Sequence, residues 1–208
     1  MFRDREEAGE QLGDMLAHYR GQNAVVLALP RGGVVLGRVI AHHLHLPLDI
    51  VVTRKIGHPT SPEYAIGAVD EQGTTILNDA EVKTVDQAWL KEEVLRQQQE
   101  AQRRSNLYRK GKNLINLVRK VAIIVDDGIA TGLTMRLAVR SVKIREPSKI
   151  VVAVPVAPAG SLRALRSEGA DEVIVLEQPD EFLGAVGAHF EEFPQVDDAE
   201  VMRLMAKQ

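Results

Sequence analysis

The chain contains no cysteine. Disulfides, thiol catalysis and cysteine metal sites are therefore excluded, and a chain without disulfides fits a reducing compartment. Aromatic residues make up only 4% of a sequence that is 45% hydrophobic. The core must then be aliphatic, which suits helices packed on a parallel sheet whose buried strands read as Val/Ile/Leu runs. No apolar run reaches the roughly 18 residues that a membrane helix needs. The amino-terminal stretch MFRDREEAGEQLGDML is charged and amphipathic, without the apolar centre of a secretion signal. A soluble cytoplasmic protein is the expectation. A strong charge of one sign is also missing. The formal net charge of -3 gives neither the basic footprint of a nucleic-acid binder nor an acidic tail.

What is present is a repeating alternation. The 208 residues suit one domain. Residues 4–19 place Ala8, Leu12, Met15, Leu16 and Tyr19 at three- and four-residue steps, the spacing of one helix face. Residues 23–29 (NAVVLAL) read as a short buried strand that ends in the tight loop Pro30-Arg31-Gly32-Gly33. A helix follows over 34–46, closed by Pro47, and then a strand over 48–53. Residues 54–63, with Gly57, Pro59 and Pro62, read as loop. Residues 64–69 and 74–77 suggest a hairpin. A long charged helix is expected over about 85–110; its polar middle, RQQQEAQRR, predicts that it stands away from the body or packs on a partner. Strands are expected at 121–125, 150–154 and 172–176, and helices at 133–143 and 159–168, the last stopped by Gly169. From residue 177 the tail reads as irregular. Strands and helices that alternate in this way give an α/β fold, a mostly parallel central sheet with helices on both faces. The whole of 1–208 reads as a single domain with a helical insert at about 80–112 and a tail at about 177–208. Ligands in such folds lie at the carboxyl ends of the strands, so the loops after Leu29, Thr53, Val125 and Val154 should share one crevice.

The chemistry concentrates in residues 121–134, VAIIVDDGIATGLT. An aliphatic strand carries the loop to the sheet edge. Gly128 and Gly132 allow a tight turn close to a ligand. The loop's amides then run into a helix amino terminus, where unsatisfied N–H groups and the helix dipole favour an anion. Thr131 and Thr134 add hydroxyl donors. Asp126 and Asp127 repel phosphate, but they can accept hydrogen bonds from a sugar diol or approach a magnesium ion. A loop with two acids and an amide nest suits a ligand that carries both hydroxyls and a phosphate.

This segment resembles the signature of the type I phosphoribosyltransferases. The resemblance spans about residues 25–176. It implies that Asp126 and Asp127 hold the ribose hydroxyls of phosphoribosyl pyrophosphate and bind Mg2+, directly or through water. It also implies that Gly128, Ile129, Ala130, Thr131, Gly132 and Thr134 cradle the 5′-phosphate. The loop Pro30, Arg31, Gly32 and Gly33 matches one that contacts pyrophosphate in that family, and Arg31 offers a planar fork to phosphate oxygens. Arg54 and Lys55 resemble the Arg-Lys pair of the adenine and orotate branches, with Lys55 set beside the two acids in the catalytic group. The segment GHPTSPEYAIG stands where the family has a closing loop, to which His58, Glu63 and Tyr64 are weaker contributors. The implied activity is transfer of the phosphoribosyl group to a nitrogenous base or other acceptor, by a homodimer.

Ala130 departs from the 6-oxopurine branch, which carries an Asp there; that argues against hypoxanthine or guanine as acceptor. A base-covering hood would come from the tail, where Phe182, Phe190 or Phe193 could stack on a base, although anchoring of the tail is the favoured role for each. His42, His43 and His45 lack a carboxylate at metal-ligand spacing and read as surface histidines. Two rival functions share the same pocket. One is a phosphoribosyl pyrophosphate sensor that binds nucleic acid through a patch at 96–112. The other is a phosphate-ester binding protein or phosphohydrolase.

Overall fold

The computed structural model describes residues 1–179 and 182–206. The expected tail of 177–208 therefore falls partly outside them, at 180–181 and 207–208. The central sheet has five parallel strands in the order β2-β1-β6-β7-β8. These are β1 (Ala24–Ala28), β2 (Leu48–Ile50), β6 (Val121–Val125), β7 (Lys149–Val156) and β8 (Glu172–Glu177). A second, antiparallel sheet holds β3 (Thr53–His58), β4 (Ser61–Asp70) and β5 (Thr75–Leu77). The helices are α1 (Arg5–Met15), α2 (Gly33–Leu44), α3 (Gln87–Arg109), α4 (Leu133–Lys143), α5 (Ala159–Glu168) and α6 (Asp198–Ala206).

Alternation along the strands builds two separate cores, because successive side chains point to opposite faces. Val26, Ala28, Ile123 and Val125 pack with α1, α2 and α6 on one face. Val25, Leu27, Ala122 and Ile124 pack with α4 and α5 on the other. The strands are thus buried on both sides, as their unbroken aliphatic runs require. Several ends fall where the sequence places them. Gly169, at φ 122°, closes α5, and β4 pairs with β5 as the expected hairpin. The first helix is shorter than its periodicity suggests: α1 stops at Met15 and a 3-10 turn covers Ala17–Tyr19.

Three expectations are corrected. Residues 54–63 are not loop but most of the β3–β4 hairpin. The register shifts on either side of Gly57, and Pro62 sits at the second position of β4. A bulge and a strand start are places where Gly and Pro are tolerated, so these residues shape the hairpin instead of breaking it. The long helix does not stand away from the body. Leu90, Glu93, Gln97, Ala101, Ser105 and Tyr108 form a buried stripe at three- and four-residue spacing, and half of it is polar, which hides it from a hydrophobicity reading. The tail is not irregular throughout, since α6 buries Val201, Leu204 and Met205. Asp197 accepts from the Glu200 amide at 2.7 Å, an N-cap that the sequence DDAE carries in plain view.

One buried polar cluster ties the two sheets together. Arg109 Nε donates to Asp49 Oδ1 at 2.9 Å, and Arg109 Nη2 donates to the Ile50 carbonyl at 2.6 Å. Arg109 also pairs with Glu71 at 3.4 Å and donates to Ser105. Glu71 in turn accepts from the Val52 amide at 3.1 Å. Burial pushes the Glu71 carboxyl up, and the Arg109 guanidinium works against that shift.

Candidate functional site

The strand order reverses direction between β1 and β6: the chain leaves β1 for β2 on one side and β6 for β7 on the other. Open α/β sheets bind ligands at such a point, outside the carboxyl ends of the strands. The register pairs Ala28 with Val125, and the Leu29 amide donates to the Val125 carbonyl at 2.9 Å. The loop at 30–33 and the loop at 126–132 therefore lie side by side.

Their packing is close. A Cβ on Gly32 would overlap Asp127 Oδ2 and lie 2.7 Å from its Cγ; one on Gly33 would lie 2.9 Å from Asp126 Cα. Glycine is required here by proximity, since Gly32 has ordinary helical angles, φ -60° and ψ -40°. The Pro30–Arg31 peptide is cis.

The acid pair is held from both ends of the chain. Asp126 Oδ1 accepts from the Asp127 amide at 2.9 Å. Arg5 Nε donates to Asp127 Oδ2 at 2.8 Å, with the two side chains only 8% and 16% exposed. Arg5 Nη1 donates to the Pro194 carbonyl at 2.7 Å, and the guanidinium lies 3.6 Å over the Phe193 ring. Burial, reinforced by the Asp127 charge, raises the Asp126 carboxyl well above the usual range. Burial also raises Asp127, against the opposing pull of Arg5. Two carboxyls share one guanidinium, so the pair's second negative charge is disfavoured unless a cation or hydroxyl donors meet it.

Beyond the acids the loop becomes an amide cradle. Gly132 is the N-cap of α4 at φ 78°, in the left-handed region, and no side chain caps that helix. The first amides of an uncapped helix are free for a ligand. Among the described residues, the amides of Ala130, Thr131 and Gly132 meet no protein acceptor. Ala130 and Thr131 are exposed and Thr134 is half-buried. Ile129 differs: its side chain is buried, and its amide donates to the Val156 carbonyl at 2.9 Å. It shapes the loop from within.

The cationic residues come from the loop after β1 and from β3. Arg31 Nη1 lies 3.6 Å from Asp198 Oδ1. Arg54 is part-buried, and its Nε donates to Gln97 Oε1 at 3.1 Å. Burial, with Arg104, Arg96 and Arg31 close by, lowers its pKa. Lys55 is engaged by Glu63 across the hairpin at 2.6 Å, both side chains being exposed. His58 accepts from Thr60, and Tyr64 donates to Glu81 at 2.9 Å.

Other candidates resolve as structure. Phe190 is buried and stacks on Phe2 and Phe193 at 5.4 and 4.9 Å, so it anchors the tail. Arg5 covers one face of Phe193, and Phe182 packs on His189 at 5.1 Å. Of the basic residues at 96–112, Arg109 is buried, while Arg96 pairs with Glu93, and Arg103 and Arg104 pair with Glu100. His43 faces Asp14 at 3.4 Å, and no group of three or more metal-ligating side chains occurs among the described residues. None of their helices is long and apolar enough to cross a membrane.

Arg5, which contacts the acid pair, is not among the candidates that the sequence offers. It lies 122 positions from Asp127, inside a run of charges. The available signal was its place on the buried face of α1, beside Ala8, Gly9 and Leu12, where an unpaired cation would be costly.

A five-stranded parallel sheet with an acid-pair loop at its reversal point is consistent with the phosphoribosyl transferase domain. The chain belongs to the phosphoribosyl transferase domain family, which matches over residues 6–189. Two Mycobacterium tuberculosis proteins, from strains CDC 1551 / Oshkosh and ATCC 25618 / H37Rv, are each 41% identical over 207 residues, which is 99% of this chain. Both are provisionally named phosphoribosyl transferases. The chain spans only 46% of their length. The crystal structure of TT1426 from Thermus thermophilus is also similar, with a TM-score of 0.82 and 38% identity. That match covers 99% of this chain and 97% of the other.

Proposed function

We propose that the chain is a magnesium-dependent phosphoribosyltransferase domain. It would transfer the 5-phosphoribosyl group from phosphoribosyl pyrophosphate to a nitrogenous base or similar acceptor and release pyrophosphate. The observation that carries this reading is the pairing of two electrically unbalanced carboxylates with an uncapped amide nest, against a glycine loop at the sheet reversal. A phosphorylated ribose supplies hydroxyls for the one and an anion for the other. Membership of the family supports the reaction type.

The residues divide the work. Asp126 and Asp127 accept hydrogen bonds from the ribose diol, with Arg5 fixing Asp127. The amides of Ala130, Thr131 and Gly132 and the hydroxyl of Thr134 take the 5′-phosphate. The glycine loop and Arg31 face the pyrophosphate, Arg54 adds charge from β3, and Lys55 joins by exchanging Glu63 for a phosphate oxygen. Bond breaking builds positive charge at the anomeric carbon and negative charge on pyrophosphate, so positioning and charge management are the protein's main tasks. Two carboxylates fit a magnesium ion that takes its other ligands from substrate and water. Held by Asp126 and Asp127, such an ion would supply positive charge to the leaving pyrophosphate. A cytoplasmic homodimer completes the proposal.

The test is calorimetric titration with phosphoribosyl pyrophosphate, with and without magnesium. Magnesium-dependent binding that disappears in Asp126→Asn/Asp127→Asn is the expected result. Absence of binding under both conditions refutes the reading. Hydrolysis without an acceptor would move the assignment to a phosphohydrolase.

A further inference from the structure

We propose that Asp198 and Tyr108 are positioning residues that hold the Arg31 guanidinium in place for the pyrophosphate. The inference rests on the reading of Arg31 given above. The three residues come from a loop, a helix and the tail that are far apart in sequence. The Tyr108 hydroxyl, on α3, donates to Asp198 Oδ1 at 2.6 Å. The same Oδ1, on the first residue of α6, lies 3.6 Å from Arg31 Nη1.

The two distances have different consequences. At 2.6 Å the Asp198 oxygen is pinned, and Tyr108 cannot swing because it is 2% exposed. Burial and the hydrogen bond to Asp198 push its hydroxyl up to about 12, so it remains a donor at neutral pH. At 3.6 Å the contact with Arg31 is longer than a hydrogen bond, though still an attraction between opposite charges. Arg31 makes no hydrogen bond through its side chain among the described residues. Its planar set of donors therefore stays free for phosphate oxygens. Without Asp198 the guanidinium would face Arg54, which already feels its charge, and repulsion would push it towards solvent. A tether that orients without consuming donors is what a pyrophosphate clamp needs, because less entropy is then lost on binding.

A purely structural role, pinning α6 onto α3, makes a different prediction. It would change thermal stability and leave affinity for phosphoribosyl pyrophosphate alone. The experiment is a double-mutant cycle by calorimetry with magnesium and phosphoribosyl pyrophosphate, using wild type, Asp198→Asn, Tyr108→Phe, Arg31→Ala and Arg31→Ala/Asp198→Asn. Asp198→Asn should raise Kd roughly 3- to 10-fold, and Tyr108→Phe less. In the Arg31→Ala background Asp198→Asn should add nothing, because both changes act through one side chain. Unchanged affinity in Asp198→Asn overturns the proposal, as does an undiminished loss in the Arg31→Ala background. If Asp198→Asn does not fold, Tyr108→Phe, which keeps the buried ring, decides alone. Failure of wild type to bind overturns the phosphoribosyltransferase reading itself, and this proposal with it.

Discussion

Replacing Gly32 by alanine adds one methyl group at the point where the two loops touch. The backbone tolerates the change, since φ -60° and ψ -40° suit any residue. The side chain does not: its Cβ would stand 2.7 Å from Asp127 Cγ and 3.1 Å from Arg5 Nε. Carbon atoms rest at about 3.5–4.0 Å, so the carboxylate must retreat by about 1 Å. That movement breaks the 2.8 Å bond to Arg5. Overpacking of this kind costs about 1–3 kcal/mol, offset by about 0.5–1 kcal/mol from a stiffer unfolded chain. At roughly 2–4 °C per kcal/mol for a chain of this size, Tm should fall by a few degrees. Binding suffers more. A charged hydrogen bond is worth about 1.5–3 kcal/mol, so Kd for phosphoribosyl pyrophosphate should rise about 10- to 100-fold. Differential scanning fluorimetry and calorimetry on one preparation give both numbers. A folded Gly32→Ala protein with wild-type affinity would refute the claim that the place of Asp127 sets binding.

Asp126→Asn should bind phosphoribosyl pyrophosphate poorly yet unfold at a higher temperature near neutral pH. The folded-state pKa of Asp126 is raised, so the wild type loses stability as pH climbs from the ordinary carboxylate range through that raised value. The asparagine variant avoids the loss; its advantage should vanish in acid, and thermal melts from acid to neutral pH test this, with a constant difference counting against it. Arg109→Ala should cost about 3–5 kcal/mol in urea unfolding, because it strands two buried carboxylates. Asp49 and Glu71 are only 5% and 10% exposed beside it, and a loss under about 1 kcal/mol would show that water already solvates the cluster.

The central sheet was legible because its strands are short, aliphatic and separated by Gly- and Pro-marked loops. Residues 121–125 and 133–143 were read at the bounds observed for β6 and α4. Elements whose buried faces are polar or interrupted were misread. The inward stripe of α3 contains Glu93, Gln97 and Ser105; Arg96 and Gln97 serve Glu93 and Arg109 serves Ser105 within the helix, while Gln97 also takes Arg54 from β3. Gly57 and Pro62 are strand breakers by propensity, yet in context Gly57 sits at a bulge and Pro62 at a strand start. In the candidate site, residues on short local motifs (30–33, 54–55 and 126–134) could be singled out from the sequence, and residues that reach it singly from distant elements could not. Asp126 to Thr134 form a local motif. Arg5, Tyr108 and Asp198 bear on it through contacts spanning 90 or more positions, and no local pattern encodes such a contact.

That division follows from the electrostatics. A loop with two adjacent acids is unstable by itself, since burial raises both carboxyls and each charge opposes the other. The loop at 126–134 carries no Lys or Arg, so it supplies no counter-charge of its own. The compensation has to come from a distant element, and it arrives from the amino-terminal helix as Arg5, itself held by Phe193 and Pro194 of the tail. The guanidinium serves one acid of the pair. On the proposed function, hydroxyls or a cation would offset the charge that burial disfavours, so the site's affinity and the fold's residual strain would have one source. A substitution that stabilises the free protein by neutralising Asp126 must therefore weaken the ligand that the charge was there to meet.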